Sequence, residues 1–278
     1  MSIEARNLVY KYSEGMSFEK TALDDVSFSI DDGEFIGLIG HTGSGKSTLV
    51  QILVGLLNPV SGTVIIDGTD IFKEKNIKEA RKKIGLVFQY PEHQLFETTV
   101  FKDVAFGPKN QGLDKEEVIR RVTDALDIVN IPADLYDRSP FELSGGQKRR
   151  IAIAGVLSMN PSTIILDEPT AGLDPRGKKQ IMEQILSLKG KRTIILISHI
   201  MDDIARFSDR VIVLQKGKIA LTGTPKEIFA DNEMLVRLGL RTTRCSDILM
   251  LIRSRGFDVD ICNFTPEDAA DEIFRSLR

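Results

Sequence analysis

Residues 40–48 read Gly40-His41-Thr42-Gly43-Ser44-Gly45-Lys46-Ser47-Thr48, a glycine-rich loop closed by a lysine and two hydroxyls. A polyphosphate needs many donors aimed at its oxygens and a backbone that can approach closely. Gly40, Gly43 and Gly45 remove side chains so that successive N–H groups can wrap phosphate oxygens, and a helix starting at the lysine adds its positive N-terminal end. Lys46 is placed to reach the β- and γ-phosphates, and Ser47 to put its hydroxyl on Mg²⁺. Every position of the phosphate-loop pattern is filled, so the loop predicts a nucleoside-triphosphate site.

A second group of chemical residues ends an apolar run, Ile164-Ile165-Leu166-Asp167-Glu168. Asp167 can hold a magnesium-bound water, and Glu168 is placed to polarise an attacking water. Alone, such a strand end is common. About 120 residues after a full phosphate loop, it reads as the hydrolytic half of the same site. A further apolar run, Ile194–Ile197, ends at Ser198-His199 in the same manner, and Leu143-Ser144-Gly145-Gly146-Gln147 reads by itself as a serine-capped helix start after a turn.

These residues need elements to hold them. Val26, Phe28 and Ile30 alternate with polar neighbours, as in a strand, before the turn Asp31-Asp32-Gly33. Phe35–Ile39 is a short apolar strand that runs into the glycine loop, and a helix is expected from Ser47 to about Leu57. Val64–Ile66 reads as another strand, residues 114–129 as an amphipathic helix, and Val211–Leu214 with Lys218–Ala220 as a hairpin around Gln215-Lys216-Gly217. Strands alternating with helices predict an α/β fold with a parallel sheet. Thr224-Pro225-Lys226-Glu227 and Thr265-Pro266-Glu267-Asp268 are helix starts, and Asp247–Arg255 is an expected helix stopped by Gly256. Residues 230–278 are expected to form a small C-terminal appendage to a domain spanning 1–229.

The 278 residues carry a net charge of −3, which gives no global pull toward nucleic acid or an acidic membrane surface. The basic cluster at Lys78–Lys83 reads as a solvated helix face. Two cysteines, Cys245 and Cys262, read as reduced thiols. The first residues carry no apolar leader, and no stretch reaches the ~20 apolar residues that span a bilayer. Work at a membrane would therefore require docking onto something there.

Leu143–Gln147, lying between the phosphate loop and Asp167-Glu168, resembles the signature pentapeptide of the ATP-binding cassette (ABC) ATPases, and about residues 3–225 match that family. The resemblance implies a P-loop NTPase of ABC type. It has a RecA-like parallel-sheet core, N-terminal antiparallel strands and a helical subdomain at about 90–160. The implied ligands are ATP and Mg²⁺, with two cassettes closing around two ATP molecules. Ser144, Gly145, Gly146 and Gln147 would serve the ATP of the opposite subunit. Gln89 matches the loop glutamine that senses magnesium and water, Asp174 the loop that speaks across the dimer, and His199 the switch histidine at the γ-phosphate. Tyr12 is the candidate to stack on adenine, with Tyr10 as the neighbouring alternative.

Within that family, His41-Thr42, the segment Tyr90–Glu97, Ala154–Leu157 and Ala171–Gly177 look like the energy-coupling-factor (ECF) transporter ATPases of the vitamin or cobalt/nickel uptake type. This implies a peripheral ATPase on the cytoplasmic face of a cell membrane. It would pair with a similar cassette, as a homodimer or heterodimer, and dock on a transmembrane coupling subunit that works with a substrate-binding membrane subunit. Glu92 and Glu97 read equally as part of an acidic groove for arginines of the coupling subunit or as two solvated loop carboxylates. The rival reading is a soluble cassette ATPase acting on nucleic acid or the ribosome. The absence of heptad arms, the single cassette and the mild negative charge disfavour it. A small-molecule kinase has no use for Leu143–Gln147.

Overall fold

The computed structural model describes residues 2–73 and 76–277. Its strands are β1 (Ile3–Tyr12), β2 (Lys20–Ile30), β3 (Phe35–Ile39), β4 (Ser61–Ile66), β5 (Thr69–Asp70), β6 (Ile84–Val87), β7 (Thr163–Asp167), β8 (Thr193–Ile197), β9 (Arg210–Gln215) and β10 (Lys218–Gly223). They form two sheets. One is antiparallel, in the order β2-β1-β4-β5; the other runs β10-β9-β3-β8-β7-β6 and is parallel from β9 to β6.

The two sequence patterns follow from what each sheet covers. All of β3 and β8 is buried, which is why they are unbroken apolar runs rather than alternations. Successive residues still point to opposite faces. Ile164, Leu166, Ile194 and Leu196 enter one core with the helices, while Ile165, Ile195 and Ile197 enter a second core with the antiparallel sheet and the helix after the glycine loop. The large sheet is therefore the middle layer of the molecule.

The helix after the loop is α1 (Lys46–Leu53), which starts one residue earlier and ends four residues earlier than expected. Gly55, at φ +70° with its N–H on the Ile52 carbonyl at 2.9 Å, supplies the left-handed stop. The basic cluster lies on α2 (Asn76–Lys83), where Lys82 pairs with Glu79 and Lys83 with Asp67, as fits a solvated face. Between β6 and β7, the helices α3 (Val100–Asn110), α4 (Lys115–Ile128) and α5 (Gly145–Leu157) pack on one another. Asp114 caps α4 by accepting from the Glu117 N–H at 2.9 Å. α6 (Pro175–Leu186) and α7 (Met201–Phe207) complete the helical layer.

The chain then forms α8 (Pro225–Ala230), α9 (Asn232–Arg237), α10 (Arg244–Ser254) and α11 (Pro266–Ser276). Thr224 and Thr265 cap α8 and α11. α10 starts three residues earlier than expected because the Thr243 hydroxyl accepts from the Ser246 N–H, and Gly256, at φ +95°, follows its end. Leu235, Leu238 and Leu240 still pack into the main core, whereas Cys245, Leu249, Val259 and Ala269 make a separate small one. Among the described residues no helix is long and apolar enough to cross a membrane.

Candidate nucleotide-binding site

The glycine loop leaves the C-terminal end of β3 and enters α1, so its position is fixed by the central strand of the parallel sheet. Its glycines do different work. A Cβ on Gly40 would stand 2.3 Å from the Leu214 carbonyl oxygen, and one on Gly45, at φ +108°, 2.6 Å from that of Ala22. Those two let the loop pack against β9 and β2. Gly43, at φ +80°, has open space around it and is the glycine that leaves room for a ligand. Ser44 is wholly buried; its carbonyl accepts from the Gly217 N–H at 2.9 Å, and its own N–H donates to His41 at 3.1 Å.

A cleft of about 380 Å³ opens over this loop. It is lined by Thr42, Gly43, Gly45, Lys46, Ser47 and Thr48 from the loop, Gln89 after β6, Asp167 ending β7 and Glu168 just after it, His199 after β8, and Tyr12 at the end of β1. Motifs spread over nearly 190 residues meet because parallel strands deliver their C-terminal ends to one edge of the sheet. Tyr12 donates to or accepts from the Thr48 hydroxyl at 3.0 Å, and its ring meets Tyr10 edge-on at 5.0 Å. Tyr10 itself packs against the core behind the antiparallel sheet. Lys20, Ala22 and Ile197 also line the cleft and were not foreseen; Lys20 arrives because it stands opposite Tyr12 in the β1–β2 ladder.

The electrostatics of the cleft are those of buried charge. Lys46 donates to the carbonyls of Gly40 at 2.6 Å and His41 at 3.1 Å, and burial lowers its pKa against the pull of Asp167 and Glu168. Burial raises Asp167, with Lys46 opposing. Glu168 is only 9 % exposed; burial first, then the charge of Asp167, pushes its carboxyl up to about 7. Its Oε1 is buried, stands 3.4 Å from Nε2 of His199 and makes no hydrogen bond among the described residues. The backbone of Glu168 is left-handed, at φ 50°, with its N–H on the Ile197 carbonyl at 3.0 Å. His199 is lowered by burial and then by Lys46. A base with a raised pKa and an imidazole with a lowered one thus face one cleft.

Gly40, His41, Ser44, Ser144, Gly145, Gly146, Gln147 and Asp174 do not line the cleft. His41 and Gly40 instead border a separate hollow with Gly239–Arg241. Ser144 caps α5 through a reciprocal box. Its hydroxyl accepts from the Gln147 N–H at 3.3 Å, and the Gln147 side chain accepts from the Ser144 N–H at 3.0 Å. A Cβ on Gly145 or Gly146 would meet nothing within 4 Å, so this helix start faces open space. Asp174 caps α6, accepting from the Gly177 N–H at 2.7 Å. The acidic groove expected at Glu92 and Glu97 is altered by one contact: Glu92 is ion-paired with Arg149 of the same chain at 2.7 Å, so its charge is already matched.

Comparison with known proteins gives this geometry a family. Residues 23–171 match the model described as ABC transporter. The chain is 53% identical to the "Energy-coupling factor transporter ATP-binding protein EcfA2" of Caldanaerobacter subterraneus subsp. tengcongensis, over 100% of this chain and 98% of that protein. Among solved structures it resembles cbiO1 from Clostridium perfringens, described as part of the ABC transporter complex cbiONQ. That match has a TM-score of 0.76 and 40% identity, over 90% of this chain and 98% of the other. It also resembles the dimeric ATP-binding cassette MJ0796 bound to ADP and Pi, with a TM-score of 0.71 and 29% identity, over 80% and 98% of the two chains. The phosphate loop, the two carboxylates after β7 and the helix start at Ser144 sit within this shared region, and the chain belongs to the ABC transporter family as an ATP-hydrolysing protein of the energy-coupling factor type.

Proposed function

We propose that this chain works as one of two cassettes on the cytoplasmic face of an ECF-type importer. Closure around Mg-ATP would drive uptake of a micronutrient, a vitamin or a transition metal, through membrane partners. One observation carries the two-chain reading. A single chain gathers the loop, the carboxylates, Gln89 and His199 into one cleft, yet leaves Ser144–Gln147 and Asp174 outside it on exposed helix starts. A second cassette facing the cleft would supply its own copies of those residues. The solved cassette dimer bound to ADP and Pi supports that geometry. The cassette and appendage division at 229/230 belongs to the same proposal, with Leu235–Leu240 tying the appendage to the main core.

The residues fit a magnesium ion. The Ser47 hydroxyl, the Asp167 carboxylate and the Gln89 side chain are oxygen ligands among the residues that line the cleft, the ligand type Mg²⁺ takes alongside phosphate oxygens and water. Bound there, Mg²⁺ would neutralise charge on the phosphates. Lys46 would transfer its ammonium from the Gly40 and His41 carbonyls to phosphate oxygens. The loop N–H groups and the N-terminus of α1 would stabilise the remaining charge. Gln89 and His199 would orient a water in line with the γ-phosphorus. Glu168 would take its proton as the new P–O bond forms and the bond to the β-phosphate oxygen breaks, ADP leaving. Tyr12 would stack on adenine at the mouth of the cleft.

The test is affinity purification of the tagged chain from detergent-solubilised membranes of its host. Recovery of a second cassette with multispanning membrane proteins is expected. Recovery of soluble proteins or nucleic acid alone would overturn the transport role and leave the ATPase chemistry standing.

A further inference from the structure

Arg149 is the largest fully buried side chain described, at 1 % exposure, and it is an arginine. It lies in the second turn of α5, and every nitrogen of its guanidinium is engaged. Nε and Nη2 donate to the two carboxylate oxygens of Glu92 at 2.9 and 2.7 Å. Nη1 donates to the carbonyls of Pro169, at 3.2 Å, and Ala171. The ring of Tyr90 lies under Cζ at 5.8 Å. Burial alone would raise the Glu92 carboxyl, but the hydrogen bond and charge of Arg149 hold it below the usual range. Neither Arg149 nor Glu92 lines the nucleotide cleft.

The three segments joined here each carry one part of the hydrolytic site. Tyr90 and Glu92 follow Gln89; α5 begins at Ser144; Pro169 and Ala171 lie between Glu168 and Asp174, with the Ala171 N–H on the Glu168 carbonyl at 3.1 Å. We propose that Arg149 and Glu92 form a positioning clamp that holds the Gln89 loop, the signature helix start and the Glu168–Asp174 segment in one register, so that a displacement of any of them is passed to the other two. A planar fork is needed for this, since a lysine ammonium cannot span a carboxylate and two carbonyls in fixed geometry. Burial makes the clamp close to all-or-none, because a guanidinium cut off from water has no substitute partner. The proposal rests on the hydrolytic roles given above for its turnover arm only.

The chain contains its own control. Arg210 makes the same bidentate pair with Glu34, at 2.7 and 2.8 Å, and also donates to the Ser29 carbonyl, but it ties β9 to the β2–β3 turn and touches none of the three segments. The experiment compares Glu92→Gln, Arg149→Lys and Glu34→Gln in the full chain within the purified transporter complex. It measures ATP affinity, kcat per folded chain and amide hydrogen exchange. Glu92→Gln and Arg149→Lys are expected to bind ATP within about two-fold of the unsubstituted chain while kcat falls about ten- to a hundred-fold, the scale of a small misplacement of catalytic groups. Exchange should quicken together in residues 89–94 and 169–174. Glu34→Gln should lower Tm and leave kcat and both segments unchanged. Equal kcat in Glu92→Gln and Glu34→Gln, or faster exchange confined to the substituted segment, would overturn the clamp. Exchange needs no turnover, so a failure of the hydrolytic reading is distinguishable from a failure of the clamp.

Discussion

Lys46, Asp167 and Glu168 line the nucleotide cleft, while Arg149 pairs with Glu92 outside it; both groups are charge wholly or partly taken out of water. In the first the charges are felt but incompletely paired, since Lys46 has only the Gly40 and His41 carbonyls and the Ser44 hydroxyl as acceptors. Asp167 and Glu168 are pushed up and Lys46 down, and Glu168 Oε1 is buried with no hydrogen bond among the described residues. In the second every guanidinium nitrogen has an acceptor. The difference separates two uses of buried charge. A site that must take a ligand keeps its groups poised and incompletely paired, at a cost borne by the rest of the fold. A pair that fixes geometry is saturated.

The largest break in that comparison is Glu168→Gln. Removal of a general base costs about 10²- to 10⁴-fold in rate, so phosphate release should fall by that factor while ATP stays bound. A loss of less than ten-fold would assign the proton to another group. Arg149→Ala acts on the other region and should cost about 3 kcal/mol of stability in urea unfolding, because the half-buried Glu92 carboxylate and the Pro169 and Ala171 carbonyls lose their donor. Replacing both residues by apolar ones should cost clearly less. If the single and double variants lose the same stability, the cost belongs to packing and not to charge.

The poised state of Glu168 has its own signature in the metal-free chain, measured in EDTA. Its carboxyl is raised from an ordinary 4.5 to about 7, so between those values the folded state holds a proton that the unfolded state has lost. The contribution of this group to stability therefore falls as pH rises from about 4.5 to 7 and is flat above. Glu168→Gln lacks that slope and should be the more stable chain at pH 8, by about 3 kcal/mol. Parallel stability–pH curves for the two chains would show that Glu168 is not desolvated.

The two regions also differ in how much the sequence discloses. The phosphate loop, Asp167-Glu168, Gln89 and His199 stand in short segments, each at a strand end, and a parallel sheet sends those ends to one edge; local pattern was enough. The helix starts at Thr224 and Thr265 were equally local. What escaped was cross-chain register. Lys20 enters the cleft because β2 pairs with β1 at Tyr12, and Glu92, which looks like a solvated loop carboxylate, meets an arginine 57 positions away. The three loop glycines looked alike in sequence, yet Gly40 and Gly45 are dictated by neighbouring backbone and Gly43 by open space. Which of Tyr10 and Tyr12 lines the cleft was equally hidden, since neighbours joined by a bulged strand do not alternate reliably.

That last ambiguity yields the smallest of the expected effects. Tyr12 has 42 % of its surface exposed at the cleft mouth and a hydroxyl bonded to Thr48, whereas Tyr10 packs on the core. Stacking on a base needs the ring and not the hydroxyl. Tyr12→Phe should therefore hold ATP within about two-fold, and Tyr12→Ala should weaken it by about 1 kcal/mol, in the range for one aromatic face. Tyr10→Ala should do the reverse, lowering stability by about 2–4 kcal/mol through the cavity it leaves while sparing affinity. Equilibrium ATP titration beside urea unfolding of the three variants decides between the rings. If Tyr10→Ala loses more ATP affinity than Tyr12→Ala, adenine belongs to Tyr10, and the edge-on contact between the two rings is how Tyr12 supports it.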